Sequence, residues 1–123
     1  MEESMRVRAA RGAIVVERDN AETVLSTTQR LLDAMIQRNG IARDDIVSVL
    51  FTATEDLRSA FPAEAARRMG LGKVPLLCAR EIAVAGAMPQ VIRVLLHFHS
   101  DGGLDDVVHV YLDGAESLRD DLE

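Results

Sequence analysis

One long stretch of this chain has the period of a helix, and nearly every other apolar run has the period or the composition of a strand. Between Asp19 and Gly40, residues Ala21, Val24, Leu25, Thr28, Leu31, Leu32, Met35 and Ile36 recur every three to four positions. That spacing lines them along one stripe of a helix. Asp19 opens the segment as D-x-x-E with Glu22, a capping-box-like start, and Asn39-Gly40 supplies a left-handed stop. The other apolar runs are short and rich in β-branched residues: Arg6–Glu17 (RVRAARGAIVVE), Ile46–Thr54 (IVSVLFTAT), Val74–Val84 (VPLLCAREIAV), Val91–His99 (VIRVLLHFH) and Val107–Leu112 (VVHVYL). Pro62 suits the first turn of a short helix running to Met69, with Gly70 at its end, and Pro75 suggests an edge or strand-entry position. The order predicts an α+β fold, a mixed five-stranded sheet with one long and one short helix. One main helix layer covers one face of such a sheet, so the other face needs cover from further copies of the chain.

At 123 residues the chain reads as a single domain over 1–123, with a flexible N-terminus at 1–5 and a C-terminal tail from about 113 to 123. A formal charge of −6 argues against a nucleic-acid partner, which wants a basic stripe for phosphates. Aromatics are confined to Phe51, Phe61, Phe98 and Tyr111, too few for a single-strand stacking platform. No apolar run approaches membrane-spanning length, and Met1–Met5 (MEESM) lacks the parts of a signal peptide. A lone cysteine excludes an internal disulfide framework, and the expected location is cytoplasmic. Glycine-rich phosphate loops are absent, which disfavours nucleotide chemistry. His97, His99 and His109 do not form a zinc-ligand pattern, so no metal is expected.

Four residues look out of place: Arg11, Cys78, Glu81 and Arg93 each fall in or beside an apolar strand run. Charges there are costly unless paired, hydrogen-bonded or used on a ligand. Arg93 is either a structural arginine paired across the sheet or a ligand-binding one, and Arg11 carries the same ambiguity. Cys78 is more readily a small buried hydrophobe than a nucleophile, since no local motif supplies an activating base or an oxyanion site. Tyr111 reads as core or edge packing as readily as ligand binding. Two arginines and one carboxylate brought together would suit a small, doubly negative molecule that also carries a hydroxyl.

The stretches RGAIVVERD (Arg11–Asp19), FTATEDLRSAFPAEAAR (Phe51–Arg67), VPLLCARE (Val74–Glu81), IRV (Ile92–Val94) and HVYL (His109–Leu112) occur in an order and spacing that resembles the small, monofunctional, trimeric (Bacillus-type) chorismate mutase family. The resemblance implies a homotrimeric pseudo-α/β barrel with a site at each subunit interface. It also implies conversion of chorismate to prephenate in phenylalanine and tyrosine biosynthesis, without cofactor. By motif position Arg93 would donate to the ether oxygen, Arg11 and Tyr111 would hold carboxylate, and Glu81 with the Cys78 region would hold the ring hydroxyl. Phe61, Ala63 and Arg67 would come from the adjoining subunit, Leu76 and Leu77 would line the wall, and Leu118 and Arg119 match a tail position that closes over the ligand. Glu64 stands where some relatives have lysine, Ala9 replaces a common glycine, and Val108 stands where arginine commonly precedes HVYL. Two rivals share the architecture: the trimeric enamine/imine deaminases, whose motifs do not fit Cys78-x-x-Glu81, and a non-catalytic trimeric binding protein.

Overall fold

The computed structural model describes residues 5–122, so the residues at 1–4 of the expected flexible N-terminus lie outside the described residues. In chain order the elements are β1 (Arg6–Val15), α1 (Ala21–Arg38), β2 (Ile46–Ala53), α2 (Ala63–Arg68), β3 (Leu76–Arg80), β4 (Val91–Ser100) and β5 (Val110–Leu112). Short 3-10 turns occur at Arg43–Asp45, Leu104–Asp106 and Glu116–Leu122. Among the described residues the strands form one five-stranded mixed sheet in the order β3-β2-β4-β1-β5. The central strand β4 runs antiparallel to both β1 and β2, while β3 lies parallel to β2 and β5 parallel to β1. Pro75 therefore precedes an edge strand, where its missing N–H interrupts no second ladder.

The helical stripe packs as its period requires: Val24, Leu25, Thr28, Leu31, Leu32 and Met35 of α1 are buried. Val24, Leu31, Leu32 and Met35 meet Ala10, Ile14, Val49, Phe51, Ile92, Val94, Leu96 and Phe98 from one face of the sheet. The start of α1 differs from the sequence reading. Asn20, not Asp19, is the N-cap: its backbone is extended and its side-chain oxygen accepts from Thr23 N–H at 2.8 Å. Asp19 is instead drawn into the connection before α2, accepting from the backbone N–H groups of Arg58 and Ser59 and from the Ser59 hydroxyl. These bonds hold its carboxyl below the usual range, the Ser59 hydroxyl foremost.

The last strand is shorter than its apolar run. Leu104–Asp106 turns as 3-10, and the Asn39 side chain occupies both backbone groups of Val108, donating to its C=O at 2.9 Å and accepting from its N–H at 2.8 Å. With those groups taken by the end of α1, ladder pairing to β1 begins only at Gly12↔Val110.

Among the described residues no α-helix packs on the opposite face of the sheet. There Ala13, Val91, Tyr111 and Ala115 make a small buried cluster joined by Leu118 of the C-terminal segment. Val7, Phe61, Leu77, Ile82, Val84 and Leu104 remain exposed around the molecule. Of the out-of-place residues in the sequence, Arg11, Glu81 and Arg93 line a concavity on this face, whereas Cys78 packs against the helix-side core.

Candidate active site

Arg93 is the third residue of the central strand β4, opposite Ala13 of β1 on one side and Thr52 of β2 on the other. Strand alternation sends Ile92 and Val94 into the core and leaves Arg93 and Leu95 on the open face. Arg11 is two residues from Ala13 along β1, opposite Leu95, and so reaches the same face. Tyr111 arrives from β5, paired with Ala13. Glu81 lies just beyond β3, its backbone N–H donating to Ala53 C=O at 2.9 Å, which carries the side chain back over β2.

The Glu81 carboxylate accepts the Thr52 hydroxyl and sits 3.2 Å from Arg93 Nε. The pair is close but misaligned, and Arg93 Nε is a buried donor with no hydrogen-bond partner among the described residues. A buried guanidinium nitrogen left in that condition is an energetic liability in a purely structural role. Arg11, Leu50, Thr52, Glu81, Arg93 and Tyr111 line one concavity of about 410 Å³. The arrangement presents two cations, one carboxylate and one phenol on otherwise apolar walls, suited to a small molecule bearing carboxylates and a hydroxyl.

The other predicted site residues lie elsewhere on the same chain. Phe61 and Cys78 line a separate concavity of about 490 Å³ with Arg58, Ala79 and Arg80. Cys78 pairs with Phe51, and both Cys78 and Leu76 pack against the helix-side core, whereas Leu77 is exposed. Ala63 is buried in the core at the start of α2. Arg67 donates to Glu64 at 2.9 Å, and Arg68 reaches the same carboxylate at 3.4 Å. These bonds, with Arg67 the largest contributor, hold the Glu64 carboxyl below its ordinary range. Leu118 packs beside Tyr111, while Arg119 is exposed. A single chain thus brings together Arg11, Glu81, Arg93 and Tyr111 and leaves Phe61, Ala63, Arg67, Leu76, Leu77 and Cys78 outside their concavity.

Thr52 and Leu50 escaped the sequence reading. Their signal was present in the alternation of β2, where Val49 and Phe51 face the core and Leu50 and Thr52 face away. His109, weighed in the sequence only as a metal ligand and as the start of HVYL, has a different part here. Its Nδ1 accepts from the backbone N–H of Arg11 at 2.9 Å. Burial foremost, then the charges of Arg11 and Arg119, push its pKa below the usual histidine value. Among the described residues no group of three or more His, Cys, Asp and Glu is placed to hold a metal ion, and no helix is long and apolar enough to cross a membrane.

The family model for chorismate mutase type I matches residues 7–122. The chain belongs to that family. Among its relatives is a chorismate mutase AroH of Thermus thermophilus, 52% identical over 118 residues that span 95% of this chain and 97% of the relative. Another is the chorismate mutase AroH of Bacillus subtilis (strain 168), 40% identical over 119 residues, 96% of this chain and 94% of the relative. A solved chorismate mutase from Clostridium thermocellum superposes with a TM-score of 0.87 at 45% identity, covering 89% of this chain and 97% of that one. The family's five-stranded mixed sheet with one long and one short helix is the fold expected from the sequence.

Proposed function

We propose that this chorismate mutase type I protein isomerises chorismate to prephenate in the concavity bounded by Arg11, Thr52, Glu81, Arg93 and Tyr111. The observation that carries the reading is the buried Arg93 Nε, which has unused hydrogen-bonding capacity beside Glu81 and within reach of the space Arg11 and Tyr111 also face. The rearrangement is intramolecular: one carbon–oxygen bond breaks as one carbon–carbon bond forms, so the chemistry needs no nucleophile, general base, metal or cofactor. It does need the flexible dicarboxylate held in its compact pseudo-diaxial form, which is a positioning effect. It also needs stabilisation of the negative charge that grows on the ether oxygen, which is an electrostatic one.

Arg93 is assigned to the ether oxygen, because its charge is fixed in place by the central strand before substrate arrives. Arg11 and Tyr111 are assigned to a carboxylate. Glu81, oriented by the Thr52 hydroxyl, accepts from the ring hydroxyl. Net negative charge does not oppose a dianion here, since the local field is set by the two guanidinium groups.

The active form is a homotrimer with its sites at subunit interfaces. Support comes from the open sheet face and its exposed apolar rim, and from the split of the candidate residues between two concavities. In that assembly Phe61, Ala63 and Arg67, with Leu76, Leu77 and the Cys78 region, complete the site, and Leu118 and Arg119 close the tail over it. The purified chain is expected to consume chorismate, followed by its absorbance, and to yield prephenate with no added metal or cofactor. Light scattering should give three times the 13.5 kDa chain mass. A folded protein of that mass without turnover would overturn the enzymatic assignment, and an active monomer would overturn the trimer.

A further inference from the structure

The geometry points to His109 as a positioning residue for Arg11, its neutral imidazole standing in for the ladder carbonyl that β5 does not supply at that position. The Arg11 backbone N–H donates to His109 Nδ1 at 2.9 Å, one residue before β1–β5 pairing begins at Gly12↔Val110. Without this acceptor a partly buried backbone donor loses its partner. The residue so fixed is the proposed carboxylate binder. Two positions beyond His109, Tyr111 enters the same concavity, so one ring ties the start of β5 to the strand it must register against.

An N–H donor on Arg11 requires Nδ1 to be unprotonated, which puts the histidine's proton on Nε2. The groups around the ring support that neutral form. Arg11 on β1 and Arg119 in the C-terminal turns are both cationic, and the end of α1 contributes the uncharged Asn39 amide through Val108. Asp106, in the preceding turn, is bonded to the Gly103 N–H at 2.9 Å. Protonation of His109 replaces the acceptor with a second donor pointing at the Arg11 N–H. The sign follows: His109 titrates below its ordinary value, so the bond persists at neutral pH and is lost as pH falls beneath the usual histidine range.

The catalytic consequence rests on the proposed function, and the test separates the two. Wild type, His109→Asn and His109→Leu are assayed with chorismate from neutral pH downward. Asparagine places Oδ1 where the ring has Nδ1 but does not titrate there. His109→Leu should raise KM roughly three- to tenfold at neutral pH with kcat little changed, the span one hydrogen bond contributes. His109→Asn should restore a wild-type KM and keep it flat on acidification, while the wild-type KM rises. Equal damage by both substitutions, or identical acid profiles for wild type and His109→Asn, would overturn the inference. Independently of turnover, nitrogen chemical shifts of the labelled imidazole should report the Nε2-protonated tautomer. Protection of the Arg11 amide, measured against the intrinsic exchange rate at each pH, should fall as His109 protonates. A Nδ1-protonated ring overturns the positioning role even in an active enzyme. A correct tautomer in an inactive wild type sinks the proposed function and confines His109 to joining β5 to β1.

Discussion

The two faces of this sheet are built from the same strands and differ in what their residues can be exchanged for. Toward α1, Ile14, Phe51, Ile92 and Leu96 interlock with Leu31, Leu32 and Met35, all fully buried. That face tolerates other apolar residues of matching volume, because burial has no direction. On the open face, the Thr52 hydroxyl orients Glu81, Glu81 lies 3.2 Å from Arg93, and Arg11 shares their concavity, so exchange of arginine for lysine there loses the planar fork as well as reach. One step along β2 or β4 separates a residue that holds the fold from one that faces the concavity.

The comparison breaks most visibly if the faces fail to separate stability from turnover. Phe51→Ala should lower unfolding free energy by about 3–5 kcal/mol, the usual cost of an aromatic deletion in a packed core. Folded Phe51→Ala protein should retain near-wild-type kcat. Arg93→Ala should do the reverse, adding roughly 3–4 kcal/mol to the barrier and lowering kcat some hundred- to thousandfold. Its melting temperature should fall far less than that of Phe51→Ala, because loss of a poorly aligned donor partly offsets leaving the Glu81 carboxylate without its cation. Denaturant melts and steady-state kinetics on the same preparations decide it: loss of folding in Arg93→Ala, or a kcat defect in Phe51→Ala, would show the faces to be coupled.

How much was legible in the sequence follows the same division. The helical stripe and the period-two runs name the core, because burial acts on every third or fourth helical residue and every second strand residue. Arg11, Glu81 and Arg93 were legible as charges in apolar runs, and they do share one concavity. Asn20 displaced Asp19 as the helix cap because Asp19 has partners some forty positions along the chain, in Arg58 and Ser59, which no local pattern contains. Val107–His109 reads as strand, but both backbone groups of Val108 are taken by the Asn39 amide, another long-range contact. Thr52 and His109 act by bonding to residues far away in sequence, so neither stands out until the strands are paired.

Gly12 is where the two faces touch, which gives a sharper test. A Cβ there would lie 2.4 Å from Met35 Sδ, 3.0 Å from its Cε and 3.2 Å from Leu31 Cδ1. Met35 and Leu31 are fully buried, so the methionine has no free space into which to retreat, flexible though it is. Gly12→Ala should therefore cost about 1–3 kcal/mol of stability by overpacking. Arg11 is the preceding residue, so displacement of β1 should raise KM as well. Adding Met35→Ala makes room, and the double variant should be less destabilised than the sum of the two singles. Strict additivity would mean that the contact does not confine β1.

The smallest effect concerns charge at α2. Glu64 draws Arg67 and Arg68 to itself across i,i+3 and i,i+4 pairs on an exposed surface. Its carboxyl sits below the usual range, so the clamp is intact at neutral pH and releases only as pH falls through that lowered value. Such pairs contribute little to stability, and the melting temperature of Glu64→Gln should be nearly unchanged. The consequence is for a dianionic substrate. Glu64→Gln frees Arg67, assigned to the site from the adjoining subunit, and removes the negative charge paired with it. KM should fall by roughly two- to fivefold at low salt and converge on the wild-type value at high salt, where exposed charges are screened. A lower KM that persists at high salt would point to direct contact by Arg67 rather than a long-range field, and an unchanged KM at low salt would remove Arg67 from the site.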